Sequence, residues 1–394
     1  MIYRKFKADY LFTGREMAPD NTVLVTDEHG SIVELIPLEA AGEDILTLKG
    51  ILTPGFVNCH CHLELSHMLG SLPQNTGLVD FLLAVMSGRG PLSPDPATLE
   101  AIASAEEYML DSGIVAVGDI CNTPATIAQK SQGNMLYHNF IETMGFSGPS
   151  APERFARAQR TFQAFAEAYT YPIETNSIVP HAPYSVSPEL FKLIANFPGN
   201  RLLTIHNQES QAENQFYLDG QGDFLRLYAA LGLDTSFFKG TGQRSLPAIL
   251  PHFYRNQSLI LVHNVATSAA DLRLTGIHPS LFLCLCPNAN LYISGILPDV
   301  PALIRSGHTI VLGTDSLASN TRLDILDEMK TLQTHFPQLE TSTLLQWATV
   351  NGASALQMEN ILGSFDTGKH PGIVLIQHTD ETRLKPDSRS VRIL

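Results

Sequence analysis

The sequence is short of positive charge. Its 25 lysines and arginines stand against 39 aspartates and glutamates, a formal net charge of −14. Nucleic acids and anionic membrane surfaces are held by basic patches, so neither is an expected partner. Long hydrophobic runs are missing too. No stretch of eighteen or more apolar residues is there to span a bilayer. The N-terminal MIYRKFKADYLF has neither the apolar core nor the small-residue cleavage site of a secretory signal. Cysteine is sparse and odd in number, five in 394 residues, which does not make a disulfide framework. The expected location is the cytoplasm. Tryptophan occurs once, as Trp347 in the helical pattern TLLQWATVNGASAL, where it reads as core.

What remains is an ordinary globular composition, 44% hydrophobic and 16% charged, able to bury a large core. Residues 1–50 read as short strands and turns: IYRKFKADYLF, TVLVTDEHG with a turn at Asp27-Glu28-His29-Gly30, and SIVELIP. From residue 51 the texture changes to strand-like apolar runs separated by helical patterns such as ATLEAIASAEEYMLDSG and PERFARAQRTFQAFAEAY. The runs are ILTPGFVNCH, GIVAVGDI, MLYHNFIETM, TNSIVPHAP, RLLTIHNQE, SLILVHNV, LFLCLCP and TIVLGTDS. Eight strands alternating with helices predict an α/β fold, a (β/α)8 barrel over residues 51–360. Residues 361–394 return to turn and strand and complete the small β-domain begun by residues 1–50.

A barrel of this kind builds its active site where the strands end. The first run ends in His60-Cys61-His62. Side chains alternate along a strand, so the two imidazoles share a face and the neighbouring cysteines take the other. A single His-x-His is common by chance, and a strand tip supplies only two ligands. The later tips supply more: His181 after the fourth run, His206 and then Glu209 after the fifth, His263 after the sixth and Asp315 after the eighth. Buried polar groups are costly unless paired or bound to metal, so the recurrence points to a metal site rather than to packing. Cys284 and Cys286 read as small buried hydrophobes. Cys286-Pro287-Asn288-Ala289-Asn290 reads as a loop at the mouth or a plain turn.

His60, His62, His206 and Asp315 offer three nitrogens and one oxygen to a divalent cation, zinc by expectation, with iron and manganese able to take the same set. Such an ion lowers the pKa of a bound water from about 15.7 toward 7. Asp315 and His263 are placed to take the proton of that water and orient it. Glu209, one short turn beyond His206, can face the substrate and protonate a ring nitrogen. This combination suits hydrolytic removal of an exocyclic amine.

The segments PGFVNCHCHLELS, HNQE with His206 and Glu209, LVHN with His263, and LGTDSLASN with Asp315 resemble the amidohydrolase superfamily, in its branch of mononuclear-metal aminohydrolases. The resemblance covers nearly the whole chain. It implies a distorted (β/α)8 TIM barrel with a β-sandwich built from both termini, one metal ion per subunit and a small-molecule substrate. It also implies substrate contacts at Glu64, His181 and Ser316. Within the branch, HLELS, PHAPYSVSP, HNQESQAE and GQGDFL look most like aminodeoxyfutalosine deaminases, and VLGTDSLASNTRLDILDEM like the deaminases of adenosine and S-adenosylhomocysteine as well. The chain departs from the family at Gly368-Lys369-His370-Pro371-Gly372, in the sandwich, and at Cys286-Pro287-Asn288-Ala289-Asn290, where a hydroxyl is lost at the mouth. The sequence admits two other readings. One keeps the site with guanine, an s-triazine chloride or a cyclic amide as substrate, and the other is a non-catalytic binding protein. Barrels of this size often pair, so a homodimer is compatible with the sequence, which does not itself set the oligomeric state.

Overall fold

A computed structural model of the protein describes residues 2–88, 94–168, 175–276, 278 and 280–394. Runs rich in Val, Ile and Leu form strands β1 (Phe56–Cys61), β2 (Ile114–Cys121), β3 (Leu136–Thr143) and β4 (Asn176–Pro180). The second half of the chain contributes β5 (Leu202–Asn207), β6 (Ser258–His263), β7 (Leu281–Leu285) and β8 (Thr309–Leu312). They make two four-stranded sheets in the orders β4-β3-β2-β1 and β5-β6-β7-β8, with every neighbouring pair parallel. Parallel sheets bury both faces, which is why these runs are continuously apolar rather than alternating. Every residue of β1 and β2 is buried.

The two sheets meet at both edges. His206 N–H donates to His181 C=O at 3.0 Å beside β4 and β5. Beside β1 and β8, Thr314 and Asp315 both donate their N–H to His60 C=O at 3.0 Å, and Cys61 bridges Asp315 in parallel fashion. The Asn58 amide locks the second junction, donating to Thr314 Oγ1 at 2.7 Å and accepting Thr314 N–H at 3.1 Å. The largest apolar cluster runs through these strands and the helices around them.

Helix starts follow local chemistry. Asp95 accepts Thr98 N–H at 2.8 Å to open Pro96–Asp111, and Ser187 accepts Leu190 N–H at 3.2 Å to open Pro188–Ala195. The second helix expected from sequence is Ala151–Ala168; Tyr169 lies outside the described residues. Cys286-Pro287-Asn288-Ala289-Asn290 is neither loop nor turn. It opens the helix Pro287–Ser294, with proline at the first helical position, where no N–H is needed. Trp347 is buried, in a wide helical turn at Trp347–Asn351.

The run that reads as one strand over residues 51–60 is split at Gly55. Ile51–Pro54 pairs antiparallel with Ile373–Gln377 and parallel with Tyr10–Leu11, and Arg389–Arg392 completes that sheet. Gly55 then hands the chain to β1. A Cβ there would come within 2.3 Å of the Val115 side chain and 2.7 Å of Pro371 O, so only glycine fits this crossing. A second terminal sheet runs Ile32–Pro37, Thr22–Asp27, Tyr3–Lys7, Ile45–Thr47. Phe6 and Leu24 of this sheet share an apolar cluster with Leu52 and Leu375 of the other.

Candidate active site

Three of the four ligand candidates converge at the strand ends. His60, His62 and His206 are buried and have ring nitrogens within 4.8 Å of one another. His62 Nε2 stands 3.3 Å from His206 Nε2. Asp315 Oδ1 lies 3.6 Å from His60 Nε2 and 3.4 Å from His62 Nε2. The tautomer of His206 follows from its partner: Nδ1 sits 2.7 Å from the His181 carbonyl, which only accepts, so Nε2 keeps its lone pair for the centre. His60 is 1% exposed, yet neither of its ring nitrogens has a hydrogen-bond partner. Buried polar nitrogens are not left bare without compensation, and a cation held among these residues would supply it.

Electrostatics agree with that fit. Burial pushes the imidazoles of His62, His206 and His263 down, His206 to about 4, so all three are neutral and able to ligate or hydrogen-bond. For Asp315 burial acts upward, but His60, His62 and His263 outweigh it and hold the carboxyl below its ordinary value. Ser319 Oγ–H donates to Asp315 Oδ2 at 2.7 Å, which turns Oδ1 toward the histidines. Gly313, just after β8, makes the close approach possible, since a Cβ would lie 2.8 Å from His60 Cβ.

Glu209 sits on the turn that leaves β5. Its carboxyl is raised well above the ordinary range, first by burial and then by Asp315 and Glu213. The turn is strained: Gln208 has φ of 45°. Glu213, from the helix Gln211–Asp219, holds it by accepting the N–H groups of Gln208 at 2.9 Å and Glu209 at 3.4 Å. His263, Asn264 and Asp315 also take left-handed backbone, with φ of 73°, 58° and 58°. Such conformations cost free energy in non-glycine residues and gather at functional sites. His263 Nε2 is 3.7 Å from Glu209 Oε1. Its Nδ1 is 3.0 Å from Asn290 Nδ2, and an amide nitrogen only donates, so the imidazole hydrogen is on Nε2.

Glu64 Oε2 accepts from Asn122 N–H at 3.2 Å, Thr123 N–H at 3.1 Å and Thr123 Oγ1 at 3.0 Å. His181 lies against His206, ring centroids 4.9 Å apart, with its Nδ1 2.8 Å from Ser185 Oγ. Ser316 is turned into its own loop, where its hydroxyl accepts Ala318 N–H at 3.2 Å. Residues not singled out from sequence also belong to the cluster. Glu142, near the end of β3, lies 3.7 Å from His206 Nδ1 through Oε1 and accepts from Asn122 Nδ2 at 3.0 Å through Oε2. It obeys the same rule of a polar tip on an apolar run, here MLYHNFIETM. Asn290, Ser319 and Glu213 carry no such signal, because their roles depend on contacts between distant segments.

Three polar sets thus share one rim: neutral imidazoles around a common point, the carboxyl of Asp315 held below its ordinary value, and the carboxyl of Glu209 raised above it beside a neutral histidine. Over 353 residues the chain is 26% identical to an adenosine deaminase of Helicobacter pylori, covering 85% of this chain and 84% of that protein. Its structure resembles that of Helicobacter pylori aminofutalosine deaminase in complex with methylthio-coformycin, with a TM-score of 0.81 and 22% identity over 96% of this chain and 93% of that one. It also resembles an adenosine deaminase from Xanthomonas campestris with bound zinc, with a TM-score of 0.74 and 22% identity over 94% and 84%. The shared architecture is an α/β fold of the TIM-barrel type. The family model for amidohydrolases matches residues 51–391, the span that carries every strand tip described above, and the chain is a member of the amidohydrolase family.

Proposed function

We propose that this protein is a hydrolytic deaminase of an adenine-type nucleoside or a related metabolite, using one divalent metal ion. The observation that carries the reading is Glu209, a buried carboxyl 3.7 Å from His263 Nε2 beside the histidine cluster, where burial favours its protonated form. A carboxylic acid is needed there only if something must be protonated, and an aminopurine ring nitrogen beside the amine-bearing carbon is such a group. The relatives named adenosine and aminofutalosine deaminase support the same substrate class.

In this reading His60, His62, His206 and Asp315 would hold the ion, which would make a water acidic enough to act as nucleophile near neutral pH. Zinc is the ion we propose, on the imidazole-rich donor set and the zinc-bound relative. Glu209 gives its proton to the ring nitrogen, which makes the neighbouring carbon electrophilic. The Nε2–H of His263 orients the attacking water and its developing charge. Asp315 is the residue placed to take one proton from the water and pass it to the leaving amine, which departs as ammonia, while the remaining hydroxyl proton returns to Glu209 as the carbonyl forms. Glu64, His181 and Ser316 are the substrate contacts of the proposal. The architecture is read as a closed eight-stranded barrel over residues 51–360, with the sandwich from residues 1–50 and 361–394. The cytoplasm remains its proposed location, consistent with five free buried cysteines.

The test is ammonia release by zinc-loaded protein from adenosine, S-adenosylhomocysteine, aminodeoxyfutalosine, guanine and cytosine. Release from one adenine compound is expected. Glu209→Gln is expected to lower it by roughly 10²–10⁴-fold with metal content unchanged. Release from guanine alone, or none from any compound, overturns the reading.

A further inference from the structure

Among the described residues, one carboxylate oxygen of Glu142 has no hydrogen-bond partner. Its side chain is 3% exposed. Oε2 accepts from Asn122 Nδ2 at 3.0 Å, whereas Oε1 is buried without a hydrogen-bond partner. Oε1 lies 3.7 Å from His206 Nδ1, and one carboxylate oxygen of Glu142 comes within 4.8 Å of ring nitrogens of both His206 and His181. A second cation between these three is disfavoured by the chain itself, because His206 Nδ1 carries a hydrogen and gives it to the His181 carbonyl at 2.7 Å. The same hydrogen is therefore not available to Glu142. A buried carboxylate oxygen without a donor is expensive. The missing donor must come with the ligand.

Asn122 fixes what that ligand presents. Its side chain holds Glu142, and its backbone N–H holds Glu64 at 3.2 Å. One residue thus ties together two carboxylates that project from different segments, β3 and the turn after His62, beside the same histidine cluster. Carboxylate oxygens accept hydrogen bonds, so two oxygens already held by N–H donors on one side match a hydroxyl donor on the other. Resting on the nucleoside reading above, we infer that Glu142 is a specificity-determining substrate contact that accepts a hydrogen bond from a sugar hydroxyl. Asn122 acts as its positioning residue. A nucleoside lacking that hydroxyl leaves the carboxylate oxygen bare, and a site built around a buried acceptor rejects such an analogue strongly.

The alternative role for Glu142 is to orient His206 for the metal, and the experiment separates the two. Deamination of adenosine, 2′-deoxyadenosine and 3′-deoxyadenosine is measured for the zinc-loaded wild type and for Glu142→Gln, together with metal content. The wild type is expected to prefer adenosine over one deoxy compound by roughly 100-fold. In the variant that ratio falls at least tenfold, with one equivalent of metal retained. An unchanged ratio, equal wild-type rates on all three, or loss of metal in the variant overturns the inference. Calorimetric binding of purine riboside against its 2′- and 3′-deoxy forms reads the same preference without turnover. A wild type that releases no ammonia but binds with this preference overturns the deaminase reading and keeps the hydroxyl contact. Equal binding of all three overturns the contact.

Discussion

At the scale of the residue, reactivity here depends on which atom carries a hydrogen. His263 presents Nε2–H because Asn290 occupies Nδ1 with a donor. Asn290→Asp replaces that donor with an acceptor, moves the hydrogen to Nδ1 and strips it from the atom nearest Glu209. Turnover is expected to fall by on the order of 100-fold with metal retained, read by steady-state kinetics beside metal analysis. The histidines and Asp315 are legible in the amino-acid sequence, because each ends an apolar run and a polar tip on a buried strand needs a reason. Asn290 is not. It lies in a segment that reads as loop or turn, and its role exists only once the helix Pro287–Ser294 is packed against β6. Glu142 is legible by the rule that finds the histidines, yet a single carboxylate beside a threonine at the end of MLYHNFIETM looks like an ordinary strand end.

At the scale of the element, the strand tips are held from below. Lys130, at the end of the short helix Ile127–Lys130, is fully buried, and its Nζ lies 2.5 Å from Asp119 Oδ2 on β2 and 2.8 Å from Asn139 Oδ1 on β3. Burial opposes its charge, but Asp119 more than restores it. The other oxygen of Asp119 accepts Leu63 N–H at 2.8 Å, between His62 and Glu64. The ion pair therefore anchors the turn that carries a metal-ligand candidate and a substrate-contact candidate. Lys130→Met leaves Asp119 buried and unpaired, and unfolding by denaturant is expected to show a loss of roughly 3–5 kcal/mol. Lys130→Met with Asp119→Asn, which removes both charges, is expected to recover part of it. Nothing in the sequence pattern signals this pair. Both residues lie in stretches whose pattern marks strand or helix, and their meeting is a product of the fold. By contrast, the succession of strands and helices is legible almost throughout, since parallel buried strands announce themselves as apolar runs. The split at Gly55 escapes such reading because both sides of it are equally apolar.

At the scale of the whole molecule, acid stability has a traceable source. Burial holds His138, which is 3.0 Å from Ser177 Oγ, down to about 3, against an ordinary value of 6.5. The folded state then binds fewer protons than the unfolded chain between those values. Stability is complete above pH 6.5 and is lost as pH falls toward 3, by about 1.4 kcal/mol per pH unit for this one group. His138→Gln is expected to flatten the stability profile by about one proton in that window, measured by denaturant titration at several pH values. The seam at Ile51–Pro54 has a consequence of another kind. Pro54 pairs with Ile373 across the entire barrel segment, and all four residues of the strand are buried. During synthesis this strand leaves the ribosome early, but the neighbour that covers it is made only after the eight barrel strands. An apolar strand edge therefore stands open while most of the chain is produced, the interval in which pairing with a wrong partner is easiest. Yield of folded protein will accordingly depend on what guards that edge, chaperone or low temperature, more than on anything at the active site.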